Sequence, residues 1–93
     1  MASVVFMVGP CAGEIRILLF AWLREQAGWA EQQWPVNPND DGRLTPRQLW
    51  LKLQLPGDLD QAIRVSINRQ FADADTPLQP GDELAFLPPI NGG

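Results

Sequence analysis

Residues 15–22 read Ile-Arg-Ile-Leu-Leu-Phe-Ala-Trp, and this run constrains the fold more than any other stretch of the chain. Its two-residue period sends Ile15, Ile17 and Leu19 to one face and Leu18, Phe20 and Trp22 to the other. Apart from Arg16, both faces are apolar. One face must meet a core. The other is either covered by a helix or offered to a partner. A single core has to serve, because 93 residues make one domain.

The rest of the chain supplies short elements around that strand. Leu23 to Ala27 reads as a brief helical turn stopped by Gly28. Trp29 to Val36 reads as a second strand, and residues 37–42, Asn-Pro-Asn-Asp-Asp-Gly, as a loop. A helix then opens with Thr45 as N-cap, Pro46 at its first position, Gln48 completing a capping box, and Leu44 stapling onto Leu49. Leu49, Trp50 and Leu53 form its apolar stripe, and Pro56-Gly57 ends it. Asp58 to Ala62 reads as a further turn. Ile63 to Ile67 alternates as a strand, turns at Asn68-Arg69 and returns through Gln70-Phe71-Ala72. Gln79-Pro80-Gly81-Asp82 is turn chemistry ahead of the last strand, Glu83 to Leu87. Pro88-Pro89 stops further pairing, since neither residue donates to a ladder. The order strand, strand, helix, hairpin, strand predicts an α+β sheet with one main helix packed on one face. Glu83, Ala85 and Leu87 then fall on the uncovered face, while Phe86 turns to the core.

Composition removes several chemistries. There is no His and a single Cys, Cys11. The chain thus lacks the commonest general base and any thiolate cluster for a metal. Seven basic and eleven acidic residues give a net charge of −4, which disfavours nucleic acid and anionic lipid and favours basic protein surfaces. No apolar run approaches ~20 residues, so no membrane-spanning helix is expected. The N-terminus lacks the positive region of a signal peptide, and a cytoplasmic location is expected. Residues 1–13 read as a mobile extension, or as the product of a start placed ahead of Met7; an extra edge strand through Val4–Val8 is the less favoured reading.

The most informative segment is the last: Pro88-Pro89-Ile90-Asn91-Gly92-Gly93. The prolines stiffen the exit from the sheet. Extended, the six residues reach at most ~20 Å. Gly92 and Gly93 carry no side chain, so this thin arm passes through a narrow slot and presents a carboxylate at its tip.

With these residues in place, the sequence resembles the small subunits of molybdopterin synthase, the MoaD-like sulfur carriers of ubiquitin-like β-grasp fold. The resemblance covers residues 14–93. It rests on Ile17-Leu18-Leu19-Phe20-Ala21 with Leu23-Arg24-Glu25, on Val65-Ser66-Ile67-Asn68, and above all on residues 80–93, Pro-Gly-Asp-Glu-Leu-Ala-Phe-Leu-Pro-Pro-Ile-Asn-Gly-Gly. It implies a mixed sheet of four to five strands in a domain spanning 14–93 with a flexible tail at 88–93. It also implies a carrier that is not itself an enzyme. Gly93 would be adenylated with ATP by a ubiquitin-activating-like adenylyltransferase, then converted to a thiocarboxylate through a sulfurtransferase and its sulfur donor. The tail, Ile90, Asn91, Gly92 and Gly93, would enter the active site of the large subunit and give sulfur to cyclic pyranopterin monophosphate. Two carriers and two large subunits would form a heterotetramer. The partner interface would comprise Leu18, Phe20, Arg24, Leu87, Pro88 and Pro89. No bound cofactor or metal, no nucleic acid and no membrane is expected. The thiamine-pathway sulfur carrier, a ubiquitin-like protein modifier and a plain β-grasp interaction module are the alternatives.

The remaining candidates read as structural. Asp58 with Asp60, and Asp73 with Asp75, are carboxylate pairs without companion ligands. Lys52, the only lysine, reads as a solvated helix charge. Trp29, Trp34 and Trp50 read as packing residues, and Cys11 has no assigned role.

Overall fold

The computed structural model describes residues 13–36 and 44–89. In chain order the elements are β1 (Gly13–Leu19), α1 (Ala21–Ala27), β2 (Glu31–Val36), α2 (Pro46–Lys52), α3 (Leu59–Ala62), β3 (Arg64–Ile67), β4 (Gln70–Ala72) and β5 (Glu83–Leu87). The five strands form one sheet in the order β2-β1-β5-β3-β4. β1 and β5 pair in parallel at its centre, Ile17 beside Leu84 and Leu19 beside Phe86. The outer pairings are antiparallel. A mixed five-stranded sheet is within the four to five strands expected from the sequence.

The core lies on one face of the sheet. Ile15, Ile17 and Leu19 of β1 and Leu84 and Phe86 of β5 are buried there with Leu23 of α1, Leu49 and Trp50 of α2 and Leu59 of α3. The Trp50 and Phe86 rings meet edge to face, their centroids 5.1 Å apart, an arrangement the aromatic quadrupole favours. Two helices of seven residues each, α1 and α2, share the covering role expected of one. Trp29 and Trp34 are half-buried against the same core, as packing residues should be.

The first strand is shorter than its apolar run. It ends at Leu19; Phe20 is extended, Ala21 has a positive φ of 54°, and the chain enters α1. Trp22 therefore packs against the core from a helix rather than standing on the open face. The cause is local. Residues 21–27 are rich in helix formers, and the left-handed backbone at Ala21 takes the chain out of β1 into a helix that buries Leu23. Gly28, at φ 88°, closes α1 by donating its N–H to the Arg24 carbonyl at 3.0 Å. β2 likewise starts two residues later than expected, at Glu31. α2 ends at Lys52, ahead of Pro56, because Gln54 takes a left-handed φ of 55°.

Thr45 and Pro46 open α2 as expected. Thr45 Oγ1 accepts the Gln48 N–H at 3.2 Å, with Pro46 in the first turn. Arg47 then ties α2 to its neighbours: its guanidinium donates to Asp75 at 2.8 and 3.1 Å and to Asp60 at 2.9 Å. Asp58 caps α3 by accepting the Asp60 N–H. Asp58, Asp60 and Asp75 thus serve as structural anchors. Asn68 and Arg69 both have positive φ, as a two-residue hairpin turn requires. The Asn68 side chain donates to Asp82 at 2.9 Å and accepts the Glu83 N–H at 3.0 Å, fastening this turn to the start of β5. Residues 1–12, Cys11 among them, and the 37–43 loop lie outside the described residues.

Two outcomes follow. Leu84→Ala, at a fully buried site, should cost about 2–5 kcal/mol in urea unfolding, whereas Leu51→Ala, at an exposed one, should stay within about 0.5 kcal/mol. The second concerns pH. The hydrogen bond from Arg47 holds the Asp75 carboxyl below its usual 3.8. Its stabilising effect is therefore present above the ordinary carboxylate range and is lost as pH falls through the lowered value. Asp75→Asn should be slightly less stable than the native chain at neutral pH, and the gap should close as the pH falls through that lowered value.

Candidate functional site

The face of the sheet opposite the helices is built by register. Leu18, Ala85, Ser66 and Phe71 stand in one row across four strands. Leu87 and Arg64 pair in the next row, and Phe20 follows Leu18 at the two-residue period. Ala85 and Ser66 at the centre of the sheet are buried. The large side chains around them are not: Phe20 is 41% exposed and Phe71 68%. Charges hold the other end of this face. Arg16 donates to Glu31 at 2.8 Å, and that hydrogen bond raises the guanidinium pKa further. Arg69 lies 3.6 Å from Glu83.

Because β5 runs parallel to β1, its C-terminal end emerges beside Leu19 and Phe20. There the surface forms a concavity of about 900 Å³, with Phe20, Ile63, Phe71, Leu87, Pro88 and Pro89 among its lining. Pro88 is buried and Pro89 exposed, so the first proline is anchored and the second leads outward. At the opposite end of β1 the Glu14 carbonyl accepts the Gly81 N–H at 2.9 Å.

Four of the residues expected at a partner interface, Phe20, Leu87, Pro88 and Pro89, therefore meet in one groove. Leu18 stands one row away on the same face and is half-buried. Arg24 is exposed on α1 and does not line the groove. Ile90, Asn91, Gly92 and Gly93 lie outside the described residues. Sequence reading missed Phe71, Ile63 and Arg64. For Phe71 a signal existed: a large aromatic between polar Gln70 and small Ala72, in a strand too short to bury it.

The profile of the ThiS family matches residues 17–93, from the middle of β1 through the terminal glycines. The chain belongs to the ThiS family. A relative in Arabidopsis thaliana, a molybdopterin synthase sulfur carrier subunit, is 29% identical over 86% of this chain and 83% of its own length. SAMP1 of Haloferax volcanii superposes with a TM-score of 0.68 at 30% identity, covering 87% of this chain and all of its own. A Helicobacter pylori chain, from a complex of subunits 1 and 2 of molybdopterin-converting factor, shares the fold with a TM-score of 0.51 at 23% identity, covering 86% of this chain and 99% of its own. This ThiS-family chain thus has the ubiquitin-like β-grasp fold of MoaD-type sulfur carriers. Among the described residues no helix is long and apolar enough to cross a membrane.

Phe71, exposed at 68%, belongs to the surface rather than the core. Phe71→Ser should therefore change urea stability by less than about 1 kcal/mol while lowering the fluorescence of a dye that reports exposed apolar surface.

Proposed function

We propose that this chain is the sulfur-carrying small subunit of a molybdopterin synthase, with Gly93 as the covalent carrier. The observation that carries the reading is the continuous family match from β1 to Gly93, together with a sulfur carrier subunit as a relative along most of its length. The geometry supports it. The tail leaves the sheet beside an open apolar groove, so one partner can cover the groove and receive the tail together.

The chemistry follows from what the chain lacks. A terminal carboxylate with a pKa of about 3.3–3.7 is ionised at neutral pH and resists nucleophiles. Activation must come from elsewhere: the Gly93 carboxylate attacks the α-phosphate of ATP on a ubiquitin-activating-like adenylyltransferase, and pyrophosphate leaves. A sulfur donor supplied by a sulfurtransferase then displaces AMP and leaves a thiocarboxylate. The carrier docks through Leu18, Phe20, Leu87, Pro88 and Pro89 on the large subunit, in a heterotetramer, and its sulfur passes to cyclic pyranopterin monophosphate. Catalysis then belongs to the partners, and the carrier holds no cofactor of its own. A subunit 1 and 2 complex of a protein of the same fold is consistent with that pairing. The surplus of negative charge would speed encounter with basic surfaces.

The likeness to SAMP1 favours a second reading, a protein modifier conjugated through Gly93. Intact mass after incubation with ATP, the cognate activating enzyme and a sulfur source separates the two. Exchange of one oxygen for sulfur supports the carrier, a ladder of larger adducts the modifier, and an unchanged mass refutes both. Co-purification with a thiamine-pathway synthase instead of the molybdopterin synthase large subunit would move the carrier to that pathway. A chain lacking Gly93 should still bind the large subunit but yield no dithiolene; normal product would refute the role of Gly93.

A further inference from the structure

Arg64 stands apart from the other arginines of the sheet. Arg16 is hydrogen-bonded to Glu31, and Arg69 lies near Glu83. The Arg64 guanidinium meets no carboxylate among the described residues. It lies instead over Phe71, 4.9 Å from the ring centroid. Both side chains line the groove at the tail exit. The groove's own carboxylate, Asp60, is held by Arg47 at 2.9 Å. An exposed cation, stacked on an exposed ring, thus stands inside an apolar groove of a chain whose net charge is −4.

This placement makes a demand on whatever covers the groove. Covering it strips water from the guanidinium, and a buried ion without a partner is strongly disfavoured. Stacking on an aromatic face satisfies part of that demand and pre-orders the planar fork. The N–H donors still need an acceptor, and a carboxylate fits the fork through paired, charge-assisted bonds. A polyanion such as nucleic acid is disfavoured by the net negative charge around it. We propose that Arg64, stacked on Phe71, is a specificity-determining contact of the docking face, and that the protein covering the groove presents an aspartate or glutamate carboxylate to it amid apolar side chains. This rests on the reading that the groove receives the large subunit of molybdopterin synthase.

The test is calorimetric titration of the full chain into the large subunit from the same organism, with urea midpoints confirming that each variant is folded. Arg64→Ala should weaken binding about tenfold, and Arg64→Glu about a hundredfold or more. Arg64→Lys, which keeps the charge but loses the fork, should fall between Ala and the native chain. Native binding should weaken with salt more steeply than that of Arg64→Ala. Replacing one acidic residue of the large subunit by arginine should restore binding to Arg64→Glu. Unchanged affinity in Arg64→Glu, with Leu87→Ser weakened, would overturn the proposal and leave the function standing. Absence of binding by the native chain would remove both. A native dimer in sedimentation, dissociated by Arg64→Glu, would make a second copy the occupant and also overturn it.

Discussion

Parallel pairing of β1 with β5 is the contact on which the rest of the molecule depends. It joins the two ends of the described chain at the centre of the sheet. It therefore forms only when everything between Leu19 and Glu83 is folded out of the way, a costly closure for the chain. Burial repays it. Ile15, Ile17, Leu19, Leu84 and Phe86 face one core, into which all three helices contribute. The same pairing fixes polarity: the end of β5 emerges beside Phe20, and β1 begins at the far end.

The two faces of the sheet differ in what they ask of their residues. The helix side is closed by apolar packing and offers little to a partner. On the other side small Ala85 and Ser66 fill the centre, while Leu18, Phe20, Phe71 and Leu87 surround them and await cover. The neighbouring charges are arranged unevenly. Arg16 and Arg69 are balanced by Glu31 and Glu83 at one end, whereas Arg64 is left to an aromatic ring at the other. The apolar side chains and the arginine stacked on a ring thus lie together at the end where β5 emerges.

Much of this was legible in the residues. The bounds of β5, the cap and start of α2, the hairpin turn at Asn68-Arg69 and the core role of Phe86 follow from local signals of capping, turn chemistry and alternation. So does the placement of Leu87 on the sheet face opposite Phe86. Errors arose where local signals conflict. Residues 20–22 continue an apolar alternation yet also begin a stretch of helix formers, and the chain breaks to helix at Ala21. Phe71 and Arg64 escaped notice because each belongs to an unremarkable short strand. They meet each other across one hairpin, and their importance comes from sharing a groove with Phe20 and Leu87, which are distant in sequence.

The sequence by itself determined which segments become strands and helices, and which residues of β1 and β5 are buried. Periodicity, capping and backbone stereochemistry are local, so they can be read along the chain. The tertiary structure alone decided that Phe20, Ile63, Arg64, Phe71, Leu87 and Pro88 share one groove, at the end of the sheet where β5 emerges. That outcome depends on strand order and register, which non-local burial sets and no local stretch of residues encodes.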